Sequence, residues 1–196
     1  MSDGGTPGEL WLVRHGETEW TATGRHTSHT DVALTAKGRE QATTVGDVLA
    51  GRQFSVVLSS PMTRAIDTCR LAGYADPLEV DDDLKEWDYG EYEGRTTDEI
   101  RRERPGWTVW AGSPGGEPLE QVAARARRVI DRASAAAGDA ALFSHGHFLR
   151  ILGATWLGLP PEGGRLLSLG TASLSILGYE REAKVVRGWN RSCEVG

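Results

Sequence analysis

Sulfur is scarce in this chain, with two cysteines and two methionines among 196 residues. Cys69 and Cys193 lie far apart and neither belongs to a Cys-X-X-Cys pair, which argues against a disulfide framework or a zinc ribbon. Long hydrophobic runs are equally lacking, for none approaches the roughly twenty apolar residues needed to cross a bilayer. The opening MSDGGTPGE has no apolar stretch of the kind a secretory signal needs. Positive charge is not in excess either: 22 Lys and Arg face 28 Asp and Glu, a net charge of −6, with the signs interspersed. That balance gives no nucleic-acid stripe and no polybasic membrane patch. The expectation is a cytoplasmic protein whose partner is a small molecule, with a homodimer left open.

What is present is enough for one buried core, at 196 residues and 39% hydrophobic. Residues 1–8 are expected to be a disordered glycine-rich tail and 9–196 a single domain. An apolar run, Leu10 to Val13, meets Arg14, His15 and Gly16 at once, as a strand does when it ends at a charged, glycine-opened corner. Ligands of open α/β sheets bind at such strand ends, where helix N-termini offer N–H groups to anions. Thr35 to Gly51 has helical spacing, and Ser55 to Ser59 reads as a buried strand. Ser60-Pro61 is expected to cap a helix whose apolar stripe, Met62, Ala65, Ile66 and Cys69, puts Cys69 in the core. Arg64 falls in that helix's first turn, where the dipole disfavours a cation, so it breaks a local rule in the way functional residues do.

Residues 74–116 show no continuous period and read as an excursion forming a pocket rim, apart from a short helix at Thr97 to Arg104. Trp87, Tyr89, Trp107 and Trp110 are its aromatics. Glu117 to Ala137 is an amphipathic helix whose arginines are expected on a solvated face. Ala140 to Phe143 is a second buried strand, followed by Ser144-His145-Gly146-His147 and a helix from about Phe148 to Trp156. Leu166 to Leu169, Ala172 to Tyr179 and Lys184 to Trp189 read as closing strands. Alternating strands and helices indicate an α/β fold, a three-layer α/β/α sandwich around a mostly parallel sheet.

Four stretches carry the chemistry: LVRHGETEW at 12–20, SSPMTRA at 59–65, LKEWDYGEYEG at 84–94 and FSHGHFLR at 143–150. Together, and in this order, they resemble the histidine phosphatase superfamily, which includes the phosphoglycerate mutases. The resemblance implies a phosphoglycerate mutase-like fold and phosphoryl transfer without a metal or other cofactor. It implies that His15 is the nucleophile, with Arg14, Arg64 and His145 clamping the phosphoryl oxygens and Glu86 donating the proton to the leaving oxygen. A neutral imidazole is needed for attack, and a backbone carbonyl near the Gly16 corner is one means of fixing its tautomer. Asp88, Glu91 and Glu93 compete with Glu86 for the role of acid.

Candidate substrate contacts are Thr21, Arg25 and Thr27 from a hydroxyl-rich loop, together with Trp87, Tyr89 and His147. Thr21 stands where the family often has Asn, and Ser28 where it often has Gly, so phosphate contacts in that loop are open. LKEWDYGEYEG with WTVW after it resembles the branch containing sedoheptulose-bisphosphatase-like sugar phosphatases and broad acid phosphatases. Acidic and aromatic residues around the acid suit a sugar and repel a substrate carboxylate, which favours hydrolysis over mutase chemistry. The alternatives are a phosphoglycerate mutase and a non-catalytic phospholigand-binding module.

Overall fold

The computed structural model describes residues 8–193; apart from Gly8, the expected N-terminal tail lies outside the described residues. In chain order the elements are β1 (Leu10–Arg14), α1 (Glu19–Ala22), α2 (Ala36–Leu49), β2 (Val56–Ser59), α3 (Thr63–Leu71) and β3 (Glu79–Val80), then α4 (Thr97–Glu103), α5 (Leu119–Ser134), β4 (Ala140–Ser144), α6 (Gly146–Trp156), β5 (Leu174–Glu180) and β6 (Ala183–Arg191). They build a six-stranded sheet in the order β3-β2-β4-β1-β5-β6. The first three pairings are parallel and the last two antiparallel.

Strand alternation sorts the core. Leu10 and Leu12 of β1, Leu58 of β2 and Leu142 of β4 face α5 and α6, packing with Val122, Ala126, Val129, Phe148 and Leu152. Their neighbours Trp11, Val13, Val57, Ala141 and Phe143 point to the opposite face, against Val45, Leu49 and Cys69 of α2 and α3. The sheet is therefore sandwiched between two helical layers, and its central strands are buried on both faces.

Register brings the two histidine corners together. Because β1 and β4 are adjacent and parallel with Arg14 opposite Ser144, their carboxyl ends stop level with each other. His15 N–H then donates to the Ser144 carbonyl at 3.0 Å. Gly16 lets the corner sit against α2, for a Cβ there would stand 2.3 Å from the Gly38 carbonyl oxygen, and one on Gly38 would stand 2.0 Å from that of Glu17.

Three expected elements differ. Leu166 to Leu169 is not a strand: a 3-10 segment, Pro161–Leu166, runs into a loop instead. Ser60 is not the N-cap of α3, which begins at Thr63 after Met62; its Oγ accepts from the Met62 N–H at 3.3 Å and lies 2.7 Å from His145 Nε2. Helix α6 begins at Gly146, directly at the strand end, so His145 itself is its N-cap residue.

Candidate active site

A pocket of ≈ 90 Å³ opens at the carboxyl ends of β1 and β4, lined by Arg14, His15, Glu86, Tyr89, His147 and Arg150, by Thr21 of α1 and, from the loop after α1, by Arg25, His26 and Thr27. His15 is 3% exposed. Its Nδ1 lies 2.8 Å from the carbonyl oxygen of Gly16, which only accepts, so Nδ1 carries the proton and Nε2 keeps its lone pair. Burial, reinforced by the charges of Arg64 and Arg14, pushes the imidazole well below its usual proton affinity. His15 is therefore neutral.

Arg14 reaches the pocket from the last position of β1 and donates through Nη1 to the Leu169 carbonyl at 2.5 Å. Its Nε is buried with no hydrogen-bond partner among the described residues. Such an orphan donor is costly unless something else meets it. Burial lowers the proton affinity of Arg14, opposed by Glu86 and then Tyr89.

Arg64 and His145 stand behind His15 and do not line the pocket. Arg64 is wholly buried in the first turn of α3; its Nη groups donate to the carbonyls of Thr30 and Ser28, both at 3.0 Å, and its Nε to His145 Nδ1 at 3.3 Å. With Nδ1 accepting, His145 Nε2 bears the proton it gives to Ser60 Oγ. The rings of His15 and His145 meet edge to face with centroids 5.2 Å apart. Burial, then Arg64, holds His145 well below the usual histidine value.

Glu86 faces the pocket from the loop before α4. One carboxylate oxygen accepts from the backbone of Phe148 at 2.7 Å and Trp87 at 2.9 Å, the other from that of His147 at 3.0 Å. Two of those donors are orphan N–H groups of the first turn of α6, so the helix end that starts at the second histidine corner also grips the carboxylate. Of the competing acids, none lines this pocket. Asp88 pairs with His29 at 3.2 Å, Glu91 is exposed, and Glu93 accepts from Ser28 and Thr30.

The remaining candidates divide. Tyr89 and His147 lie on the pocket wall with the phenol oxygen 2.7 Å from His147 Nδ1. Burial, and then the charge of Glu86, raises the Tyr89 phenol well above its usual value. Thr21 and Arg25 border the pocket but are already bonded: the Thr21 hydroxyl donates to the Thr18 carbonyl at 2.9 Å and Arg25 to that of Gly94 at 2.6 Å. Thr27 likewise donates to Arg25 at 3.2 Å. Trp87 is not on this wall. It is 2% exposed in the core, and its indole N–H donates to the Glu117 carbonyl at 2.7 Å.

Two readings of the sequence are corrected here. The acidic motif does not surround the substrate site, since its extra carboxylates turn away; cationic Arg25 and Arg150 stand there instead. Arg150 belongs to α6, packs over Trp110 at 4.9 Å and has no carboxylate ion-pair partner among the described residues. The arginines of α5 are not all solvated either. Arg125 is 14% exposed and paired with Glu117 at 2.7 Å. Sequence reasoning missed Arg150 and His26; for Arg150 the available signal was its place one turn after His147, on the same helix face.

The chain is similar to known proteins over nearly its whole length. Residues 10–192 match the family model of the histidine phosphatase superfamily, branch 1. An acid phosphatase of Mycobacterium tuberculosis is 43% identical over 176 residues, covering 87% of this chain and 86% of the relative. The sedoheptulose 1,7-bisphosphatase of Saccharomyces cerevisiae is 36% identical over 184 residues, covering 76% of this chain and 67% of the relative. The solved structure of a Mycobacterium tuberculosis open reading frame superposes with a TM-score of 0.90 at 39% identity, over 95% of this chain and 99% of that one. With its fold and nearly its whole length matched, this chain belongs to the histidine phosphatase superfamily.

Proposed function

We propose that the protein is a cytoplasmic phosphatase that hydrolyses small phosphorylated metabolites, sugar phosphates or bisphosphates, through a phosphohistidine on His15. The observation that carries the reading is the fixed tautomer of His15, whose neutral ring keeps the Nε2 lone pair beside Arg14 and Glu86. The Arg14 Nε–H takes a phosphoryl oxygen, and Arg64 adds its field from behind the ring. Nε2 attacks phosphorus in line, the P–O bond to the sugar breaks, and that oxygen takes a proton from Glu86. Water then attacks the phosphohistidine with Glu86 accepting its proton, which releases inorganic phosphate and restores both groups. The guanidinium of Arg14 and the field of Arg64 offset the phosphoryl charge in this sequence, which supports hydrolysis without a metal.

Acid phosphatase and sugar bisphosphatase relatives support the substrate class. So do Arg25 and Arg150 on the pocket wall, which suit a second anionic group on the leaving sugar. The test is a panel of sugar mono- and bisphosphates assayed in chelator for phosphate release, beside 3-phosphoglycerate primed with 2,3-bisphosphoglycerate. Expected is release from sugars with an acid-labile phosphoenzyme in rapid quench, lost in His15→Ala. Rapid interconversion of phosphoglycerates with negligible release from sugars overturns the proposal in favour of a mutase, and binding without turnover in favour of a phospholigand-binding module.

A further inference from the structure

Arg125 is chemically over-committed for a residue outside the pocket. Its Nη1 donates to the carbonyls of Asp83 at 2.6 Å and Lys85 at 3.0 Å, and its Nη2 lies 3.4 Å from that of Glu86. The other edge of the guanidinium forms a two-point pair with Glu117, Nε to Oε1 at 2.8 Å and Nη2 to Oε2 at 2.7 Å. Arg125 and Glu117 are only 14% and 15% exposed. Three carbonyl dipoles of one short loop thus converge on one cation, a backbone shape that needs a donor of this form at its centre.

The same guanidinium lies 5.0 Å from the ring centroid of Phe148. Phe148 is the residue whose N–H makes the 2.7 Å bond to the Glu86 carboxylate. Arg125 therefore touches both halves of the device that holds Glu86, the loop that carries it and the helix start that grips its oxygens. Its ion-pair partner takes part as well: the Glu117 carbonyl receives the Trp87 indole N–H at 2.7 Å, and the Glu117 N–H donates to the Asp88 carbonyl at 3.0 Å, so the two residues after the acid are tied to Glu117 as Asp83 and Lys85 before it are tied to Arg125.

We infer that Arg125, paired with Glu117, is a positioning residue for Glu86, setting the carboxyl at the height where it meets the leaving oxygen. The inference rests on the reading of Glu86 as proton donor. Arg128 and Arg132 also bind the flanking loop, through Asp83 at 2.6 Å and Asp81 at 2.6 Å, but they do so at exposed positions and reach neither Glu86 nor Phe148. They anchor the loop at its far end. Arg125 alone among these arginines contacts both the Glu86 backbone and the Phe148 ring, and a displacement of about 1 Å at a reacting group costs on the order of a hundredfold in rate.

The readout is leaving-group dependence, because a poor alkyl leaving oxygen needs the proton and an activated aryl oxygen hardly does. Glycerol phosphate and an aryl phosphate are assayed with wild type, Arg125→Lys, Glu117→Gln and Glu86→Gln, each variant checked by thermal melting. Lysine keeps the charge but cannot span three carbonyls and a carboxylate. Expected is a fall of about tenfold or more in the alkyl-to-aryl ratio of kcat/KM for Arg125→Lys. A smaller fall is expected for Glu117→Gln. In Arg125→Ala, added guanidinium ion at millimolar concentration should restore the alkyl rate and leave the aryl rate unmoved. If Glu86→Gln lowers the ratio and Arg125→Lys does not, the positioning role is overturned while the acid stands. If Glu86→Gln leaves the ratio unchanged, the acid reading falls and takes the inference with it. Should Arg125→Lys fail to fold, an unchanged ratio in Glu117→Gln decides against the inference.

Discussion

The guanidinium of Arg14 stands against Gly146, so closely that a Cβ at position 146 would lie 3.2 Å from both Arg14 Cζ and Nε. The first residue of α6 is thereby kept bare so that the arginine ending β1 can lie across it. Gly146→Ala should displace Arg14 by a few tenths of an ångström and lower kcat/KM about tenfold or more. Stability should hold or rise slightly, since alanine is the better helix former by up to about 1 kcal/mol. Steady-state kinetics beside a thermal melt checks this, and an unchanged kcat/KM would show that Arg14 placement is not critical.

The acid limb of activity should lie below the ordinary imidazole range. Burial and the flanking arginines favour neutral His15, so in the free enzyme the nucleophile stays unprotonated as pH falls through about 6.5. A kcat/KM profile with an inflection at or above that value would count against His15 as the neutral nucleophile.

The same shifts act on stability with a definite sign. His15, His145 and His147 all hold protons less tightly when folded, so below about 6.5 the unfolded chain binds more protons than the native one. Stability is fully present above that value and is lost progressively as pH falls from there toward the depressed folded values. Denaturant titrations between pH 8 and pH 5 should show the decline, and His145→Asn should flatten it.

Removing the charge of Arg150, which donates to the carbonyls of Gly164 and Arg165 but has no carboxylate ion-pair partner among the described residues, should discriminate substrates. Arg150→Gln should raise KM for a sugar bisphosphate about tenfold, a loss of about 1.4 kcal/mol, with a much smaller effect on a monophosphate. Equal effects on both would place Arg150 in the scaffold instead of the substrate site.

The corner after β1 tolerates no side chain. Gly16→Ala would set a Cβ 2.3 Å from the Gly38 carbonyl oxygen, both on backbone that cannot swing away. Overpacking of this kind costs about 1–3 kcal/mol, so the variant should unfold at lower denaturant and lose activity as α2 and His15 part.

The sequence by itself determined the elements whose period is strong and the residues whose chemistry is local. Alternation fixes which side chains of β1 and β4 face each helical layer, and the amphipathic stripe of α5 is legible because its apolar positions recur on one face. His15, Arg14, Arg64 and His145 lie in short motifs at a strand end or helix start and Glu86 in a loop motif, and it is the resemblance of those motifs to a known family that names all five. Only the tertiary structure decided which of them share a wall. Arg64 is kept off the pocket wall by the Ser28 and Thr30 carbonyls, more than thirty residues away in sequence, and His145 by its bonds to Arg64 and Ser60. Trp87 sinks into the core and Glu93 leaves the pocket because backbone groups of distant segments claim them, while Asp88 is drawn to the His29 side chain. Arg125 carries no local mark at all, and the only one Arg150 carries is its place one turn after His147. A helix period states which face an arginine is on; it does not state what other segment lies there, and three converging carbonyls or a pocket wall come from the packing of chain far away in sequence.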